Sequence, residues 1–287
     1  MIRNVLAATV AVSCLVPVGI AVADGTEASP KCLIAAPQYD AIWRRGTGDQ
    51  VLEMGLPWNR FLATDDELRA AGWRLQDIDA EIQPTCEGTG QVGFTAVWTF
   101  APQIEESRVF GWGDLDFAWE NFQMNQDGWR LHLVDTYRVG SQVLYNGVWR
   151  RGDHQQDDLL GWNWNDFTAE ANRRLSEGWR IRAFDVYLDR SRQYVFNSSW
   201  VRGDVGRFGI WGWAQRDFDG KYAEVQPQGW NLVALSQVPA AGRWSAWWEF
   251  TQLEETRTST SGSDRFRRVH RDMHAAGWQL VMLSPSY

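Results

Sequence analysis

The chain has 287 residues, with 36 acidic against 28 basic side chains and a formal net charge of −8. A chain this acidic, with no basic run, is unsuited to gripping a phosphate backbone, which argues against a nucleic-acid partner. Beyond the N-terminal segment no stretch is apolar enough to cross a bilayer.

The first residues suggest an address. Arg3 precedes an apolar run from Val5 to Val22, broken only by Ser13, Pro17 and Gly19 and ending in Ala21-Val22-Ala23. A charged start, an apolar core and an A-x-A site make a secretory signal over residues 1–23, with an uncleaved anchor as the alternative. The expected location is therefore secreted or periplasmic. Cleavage removes Cys14 and leaves Cys32 and Cys86. Two cysteines in an exported chain most simply pair, with two free thiols as the other option. Residues 24–37 then form an N-terminal segment and residues 38–287 a domain of five repeats.

The repeat is read from its corners. Gly72-Trp73, Gly128-Trp129, Gly178-Trp179, Gly229-Trp230 and Gly277-Trp278 follow one another at 48 to 56 residues, and a phenylalanine stands eleven residues before each glycine: Phe61, Phe117, Phe167, Phe218 and Phe266. A fixed offset in all five marks a tandem repeat. The offset predicts a helix of about three turns whose apolar face starts at the Phe and continues through Leu68, Met124, Leu175, Val225 and Met273. Asn59, Asn165 and Asp264 are the expected N-caps. Glycine takes the left-handed position after the helix, and Pro227 should shorten the fourth helix.

A strand is expected after each corner, as in Trp129, Leu131, Leu133, Asp135, Tyr137, where alternation marks one covered face. A turn and a partner strand follow, ending in a second recurring tryptophan: Trp43, Trp98, Trp149, Trp200 and Trp248. Beyond it the units take two forms, Trp-x-Arg-Gly after Trp43, Trp149 and Trp200, and a Gln-x-Glu-Glu-x-Arg segment at Gln103 to Arg108 and Gln252 to Arg257. The array begins on a second-type strand and ends on a first-type strand, so pairing the last strand with the first would satisfy both edges.

Nineteen tryptophans far exceed ordinary usage and have to be divided by role. Ten occupy the two recurring positions and are expected in the core, where each removes roughly 200 Å² from water, about 5 kcal/mol before entropy. Trp58, Trp112, Trp162, Trp164, Trp211 and Trp213 stand in the segments before the helices. They either staple the helix starts or offer a rim of aromatic faces to a ligand chain.

Motifs for chemistry are sparse. There is no G-x-S-x-G, no S-x-x-K and no cofactor fingerprint. His270 and His274 have the spacing of a metal pair but no following glutamate and no third ligand, so they read as a solvated helix face. Asp79, Asp135 and Asp185 recur in the strand after the corner. They are expected to accept hydrogen bonds from a neighbouring strand or to pair with Arg130 or Arg180, and acid–base work by a carboxylate pair is the sharper alternative.

Tyr145-Asn146-Gly147-Val148-Trp149, the Gly-Trp-Arg-Leu corner and Asp135-Thr136-Tyr137 together resemble the bacterial tandem repeat domain, over residues 38 to 287. Such repeats resemble those preceding β-lactamase-like serine hydrolase domains in secreted proteins, polyglycine hydrolases among them. Without S-x-x-K, no catalytic residue carries over. The resemblance implies an extracytoplasmic repeat domain that holds a polymer or a partner protein. The expectation is thus an α+β array of five helix-plus-hairpin units, its strands in one antiparallel ring or arc and its helices outside. The function expected is a secreted, non-catalytic binding module for a cell-wall or extracellular polymer, using the six pre-helix tryptophans and neither metal nor cofactor. A hydrolase using the strand carboxylates and a purely structural subunit are the alternatives.

Overall fold

The computed structural model describes residues 36–85, 90–238 and 241–286. The expected signal segment, Cys32 and Cys86 lie outside the described residues.

The opening strand β1 (Gln38–Arg45) is followed by four full units, each made of a strand, a helix and two further strands. The first holds β2 (Gln50–Leu56), α1 (Trp58–Ala70), β3 (Trp73–Gln83) and β4 (Gln91–Phe100). The second holds β5 (Glu106–Gly113), α2 (Asp114–Gln126), β6 (Trp129–Val139) and β7 (Gln142–Arg151). The third holds β8 (Gln156–Asn163), α3 (Trp164–Ser176), β9 (Trp179–Leu188) and β10 (Tyr194–Arg202). The fourth holds β11 (Arg207–Ala214), α4 (Gln215–Val225), β12 (Trp230–Val238) and β13 (Arg243–Phe250). The chain closes with β14 (Glu255–Ser261), α5 (Ser263–Ala275) and β15 (Trp278–Ser286).

These strands do not make one sheet. They form five separate antiparallel sheets of three, ordered β14-β1-β15, β2-β4-β3, β5-β7-β6, β8-β10-β9 and β11-β13-β12. In each, a middle strand lies between the corner strand that follows Gly-Trp and a flanking strand that precedes the helix. The flanking strand corrects the hairpin expected from sequence: the pre-helix segments are strands, and the Gln-x-Glu-Glu-x-Arg segments run into two of them. The last sheet is completed by the first strand of the chain, since β1 pairs with both β14 and β15.

Each helix phenylalanine is held between two rings of its sheet's middle strand. Phe61 stacks on Phe94, Phe117 on Tyr145, Phe167 on Phe196, Phe218 on Trp244 and Phe266 on Tyr39, with centroids 4.3–5.1 Å apart. Four residues later on the same strand, Trp98, Trp149, Trp200, Trp248 and Trp43 meet the same rings at 5.4–6.4 Å. All five of these indoles are sealed from solvent. Between the two aromatics stands a small residue, Ala96, Gly147, Ser198, Ala246 or Ala41. At Gly147 the fit is closest: a Cβ there would lie 2.4 Å from the Phe117 ring.

The corner glycines take φ of +81° to +94°, the conformation that ends a helix on a left-handed residue. The corner tryptophans differ from expectation, however. Trp179 is buried, whereas Trp73, Trp129, Trp230 and Trp278 are only half-buried. Each is covered by its partner on the middle strand. Arg45, Arg151 and Arg202 lay their guanidinium groups over Trp278, Trp129 and Trp179 at 4.1–4.2 Å. The same arginines donate to the carbonyls of Ala276, Asp127 and Glu177, at the ends of the helices. Phe100 and Phe250 take that place over Trp73 and Trp230, edge to face at 5.5 Å. The two exits seen in the sequence are two lids for one ring.

Helix starts also shift. Trp58 and Trp164 open α1 and α3, so Asn59 and Asn165 lie within the first turn rather than capping it. Asp264 likewise sits inside α5. Asn163 is the residue that caps α3, accepting from the Asp166 amide at 3.0 Å. As expected from Pro227, α4 stops at Val225 and continues as a 3-10 turn.

Neighbouring sheets are latched through their corner strands. In every sheet the corner strand carries one extra residue relative to the middle strand, a bulge that frees backbone groups beside it. The side chain of Gln50 both accepts from the Leu280 amide and donates to its carbonyl, each at 2.8 Å. Glu106 accepts from the Leu75 amide at 3.2 Å while Arg150, paired with Glu106, donates to the Leu75 carbonyl. Glu255 and Arg44 repeat that pair around Leu232, and Gln156 donates to Leu131. Arg180 pairs with Glu249 at the remaining junction. Contacts between corner strands run β3 to β6, β6 to β9, β9 to β12, β12 to β15 and β15 to β3.

Two stability outcomes follow, both read by denaturant unfolding. Arg151→Ala uncovers Trp129 and leaves the Asp127 carbonyl without its donor, and should cost about 1 kcal/mol; Arg151→Phe, which copies the lid at Phe100, should cost less than half as much. Gln50→Ala removes both latch bonds to Leu280 and should cost about 2 kcal/mol.

Candidate functional site

The five corner strands wall a cavity of about 1000 Å³. Their alternation sends two tiers of side chains into it. The upper tier is the bulged residue of each strand: Gln76, His132, Arg182, Val233 and Val281. Three residues on stand Asp79, Asp135, Asp185, Ser236 and Ser284. The sequence pointed to the three aspartates; the structure brings them to one cavity and adds two serines in equivalent places.

Neither Arg130 nor Arg180 pairs with these carboxylates. Asp135 accepts from Asn146 Nδ2 at 2.7 Å and from the Ala80 amide of the adjoining corner strand. Asp185 accepts from the hydroxyls of Thr136 and Ser236, which belong to the strands on either side of it. Asp77 accepts from the Leu283 amide at 2.6 Å. The carboxylates therefore stitch β3 to β15, β3 to β6, β6 to β9 and β9 to β12. Asn146 extends the network outward, since its Oδ1 accepts from the amide of Gly111 in the bulge of β5.

Burial dominates their charge states. Asp79 is pushed well above the carboxylate range by desolvation and then by Glu81, Asp135, Asp185 and Asp77. Asp135 is raised in the same way, by desolvation and by Asp185. Desolvation lifts Asp185 to about 6, held there by its Thr136 and Ser236 bonds, lifts Asp77 to about 7, and lifts Glu81 to about 8. A carboxyl raised this far, as Glu81 is to about 8, can donate as well as accept at neutral pH.

The upper tier has the opposite character. Arg182 Nη2 lies 2.8 Å from His132 Nδ1, which makes Nδ1 the acceptor and leaves the proton on Nε2. His132 is held well below its usual range by desolvation, then by Arg150 and Arg182.

The six tryptophans expected to form a rim fall into two groups, and none lines the cavity. Trp162 and Trp211 pack against the core around Phe167. Trp58, Trp112, Trp164 and Trp213 remain 37–38% exposed. Trp58 leans on Phe94 and on the bulge glycine Gly111 of the next sheet; Trp164 leans on Phe196 and Gly212 in the same way. Trp112 lies opposite Tyr145, which stacks on Phe117, so its ring is on the helix face of its sheet. Trp162 also borders a second, open depression with Asn163, Asp166 and Arg173.

One feature went unread in the sequence and one expectation is corrected. Leu115, Trp119 and Phe122 form an exposed stripe on α2, 80%, 65% and 52% accessible. His270 is buried rather than on a solvated face: it packs on Trp43 at 5.8 Å and is pushed down to about 4 by desolvation and by His274. Among the described residues no group of His, Cys, Asp or Glu is arranged to hold a metal ion, and no helix is long and apolar enough to cross a membrane.

Fold and cavity define a class, a tandem-repeat α+β domain. A family model described as "polyglycine hydrolase-like, structural repeat" matches residues 50–101 and 120–152. The first stretch is the whole unit from β2 to β4 and the second runs from within α2 to β7, so two of the units match that structural repeat, the resemblance the motifs carried. No curated protein matches the chain.

The raised carboxyls set a pH dependence. A carboxyl whose folded pKa exceeds its unfolded value favours the fold while protonated, and that contribution is lost as pH rises through the folded value. Thermal stability should therefore fall between about pH 4 and pH 8, from the unfolded carboxylate range up to the raised values of Asp185, Asp77 and Glu81. Asp79→Asn, which fixes the uncharged form, should stabilise by about 1 kcal/mol at pH 8 and little at pH 5. Melting curves of both proteins across pH check the sign.

Proposed function

We propose that this is a non-catalytic binding module of a secreted protein. Its five sheets stand as a ring around the cavity, with the helices on the outside, and the ligand is a stretch of extracellular or cell-wall polymer or of a partner protein. Supporting the ring are the latches that join each sheet to the next and the pairing of β1 with β14 and β15. The observation that carries the binding reading is the cavity itself, walled by corner strands from every unit and lined with carboxyl, hydroxyl and aromatic groups. Away from the cavity, Trp58, Trp112, Trp164 and Trp213 supply partly exposed flat apolar faces, suited to sugar rings or peptide planes.

One observation favours a second reading, a hydrolase: two neighbouring carboxyls are raised to different extents, Asp185 to about 6 and Asp135 well above the carboxylate range, the kind of asymmetry acid–base chemistry uses. Against it, both carboxyls are occupied in joining strands, and replacing either would loosen the wall.

The test is a titration followed by tryptophan fluorescence and calorimetry, with peptidoglycan fragments, neutral glycans and glycine-rich peptides. At least one class should bind saturably and unchanged, and Trp112→Ala with Trp213→Ala should weaken it by about 1–2 kcal/mol. Absence of binding across the panel overturns the module. Release of product that is abolished by Asp135→Asn establishes the hydrolase in its place.

A further inference from the structure

The bulged tier is unequal in a way that points to a ligand group. At the five equivalent positions stand Gln76, His132, Arg182, Val233 and Val281, so polar groups occupy one arc of the wall and apolar groups the other. A bulge turns a side chain out of the ladder and re-aims it, and here each of the five lines the cavity.

The arginines near this level differ in one respect. Arg44 is paired with Glu255, Arg150 with Glu106 and Arg180 with Glu249. Arg182 has no carboxylate partner among the described residues; its one hydrogen bond goes to His132. Glu249 is close enough to act on Arg182 but is engaged by Arg180. Arg150 and Arg180 add positive potential at the same place and, with desolvation, hold the Arg182 guanidinium below its usual range. A guanidinium that opens onto the cavity without a carboxylate of its own favours an anion that can accept from its fork. His132 supplies a further donor at Nε2, because Nδ1 is spent on Arg182.

We propose that Arg182 and His132 form an anion subsite at the bulged tier of the cavity, and that its ligand group is a carboxylate. This rests on the binding-module reading and narrows its ligand. Along an extended strand, the three residues from this tier to the Asp79, Asp135, Asp185 tier span about 10 Å. The subsite therefore takes the carboxylate of a chain whose hydroxyl or ammonium donors lie about 10 Å further along, the length of a tripeptide or of two to three sugar units. A peptide C-terminus and a uronic acid both satisfy that chemistry, and blocking the carboxyl separates them.

The experiment is calorimetry on the full chain and on Arg182→Gln with four probes: trialanine, trialanine amide, trigalacturonate and its methyl ester. Arg182 takes no part in the latches, and Gln keeps the stem of the side chain. The expected result is saturable binding of trialanine or trigalacturonate, at least tenfold weaker binding of the matching blocked probe, and at least tenfold weakening by Arg182→Gln of the acid alone. Which acid binds identifies the source. Without ligand, Arg182→Gln should melt no lower than the parent, since it removes a charge that has no counter-ion. Equal binding by the two proteins, equal binding of acid and blocked probe, or no binding of either acid overturns the subsite. If the neutral glycans or glycine-rich peptides of the preceding section still bind in that event, the module stands and only the subsite falls.

Discussion

Everything in this architecture depends on how one phenylalanine per unit is enclosed. A three-turn helix with little apolar surface of its own is held to its sheet by a ring sandwiched between two aromatic side chains of the middle strand. Such a helix, 13 residues long in four of the five cases, is marginal alone and draws its stability from that contact. The sandwich sets the strand's pattern, aromatic, small residue, tryptophan at alternate positions, because a larger residue between the rings would strike the phenylalanine. It also fixes helix length, since the glycine must come eleven residues later for the chain to turn back along the sheet.

Enclosure of the rings leaves the corner strand with a second task. Its bulge breaks the ladder beside Leu75, Leu131, Ile181, Leu232 and Leu280, and the neighbouring sheet meets the freed groups at four of these with Gln50, the Glu106–Arg150 pair, Gln156 or the Glu255–Arg44 pair. Freed backbone groups in a covered place must find partners, so the bulge in one sheet imposes a polar side chain on the next. Glutamine does it with one residue; glutamate needs an arginine to supply the donor and to balance its charge. The same logic explains the arginine and phenylalanine lids, which differ in chemistry but cover the same half-buried indole.

Much of this was legible in the sequence. The Gly-Trp corners, the phenylalanine offset and the chain's start and finish on strands of opposite type foretold five units and the pairing of the last strand with the first. The flanking strands were not legible. β14 reads Glu-Thr-Arg-Thr-Ser-Thr-Ser and β8 begins Gln-Asp-Asp, polar runs that look like solvated loops. Yet Gln156 and Glu255 reach the neighbouring sheet's backbone and Asp157 reaches the buried Arg174, and in β8 a bulge glycine breaks the alternation. The tryptophans at their ends were seen without the strands that place them, so they read as one group, either stapling the helix starts or forming a rim, although two pack inward and four stay partly exposed. The aspartates were visible because they repeat. Arg182 and His132 were not, because their shared position became apparent only once the register showed which residue of each strand is extra.

Five copies of one unit within a single chain also separate what packing demands from what it leaves free. The residues that hold the helix to its sheet are of one kind in every copy: phenylalanine, an aromatic partner, tryptophan, corner glycine. The lids vary between two solutions and the latches among a few. The cavity tiers vary most, with glutamine, histidine, arginine and two valines at one level and three aspartates and two serines at the next. A wall that only needed filling would accept the same apolar residue five times, and a desolvated carboxyl is a costly substitute for it. The aspartates recover part of that cost by joining strands. Arg182, open to the cavity and tied to the chain by one hydrogen bond to His132, joins no strands at all, and so the place where the repeats have diverged furthest is also the place where the fold's own energetics explain least.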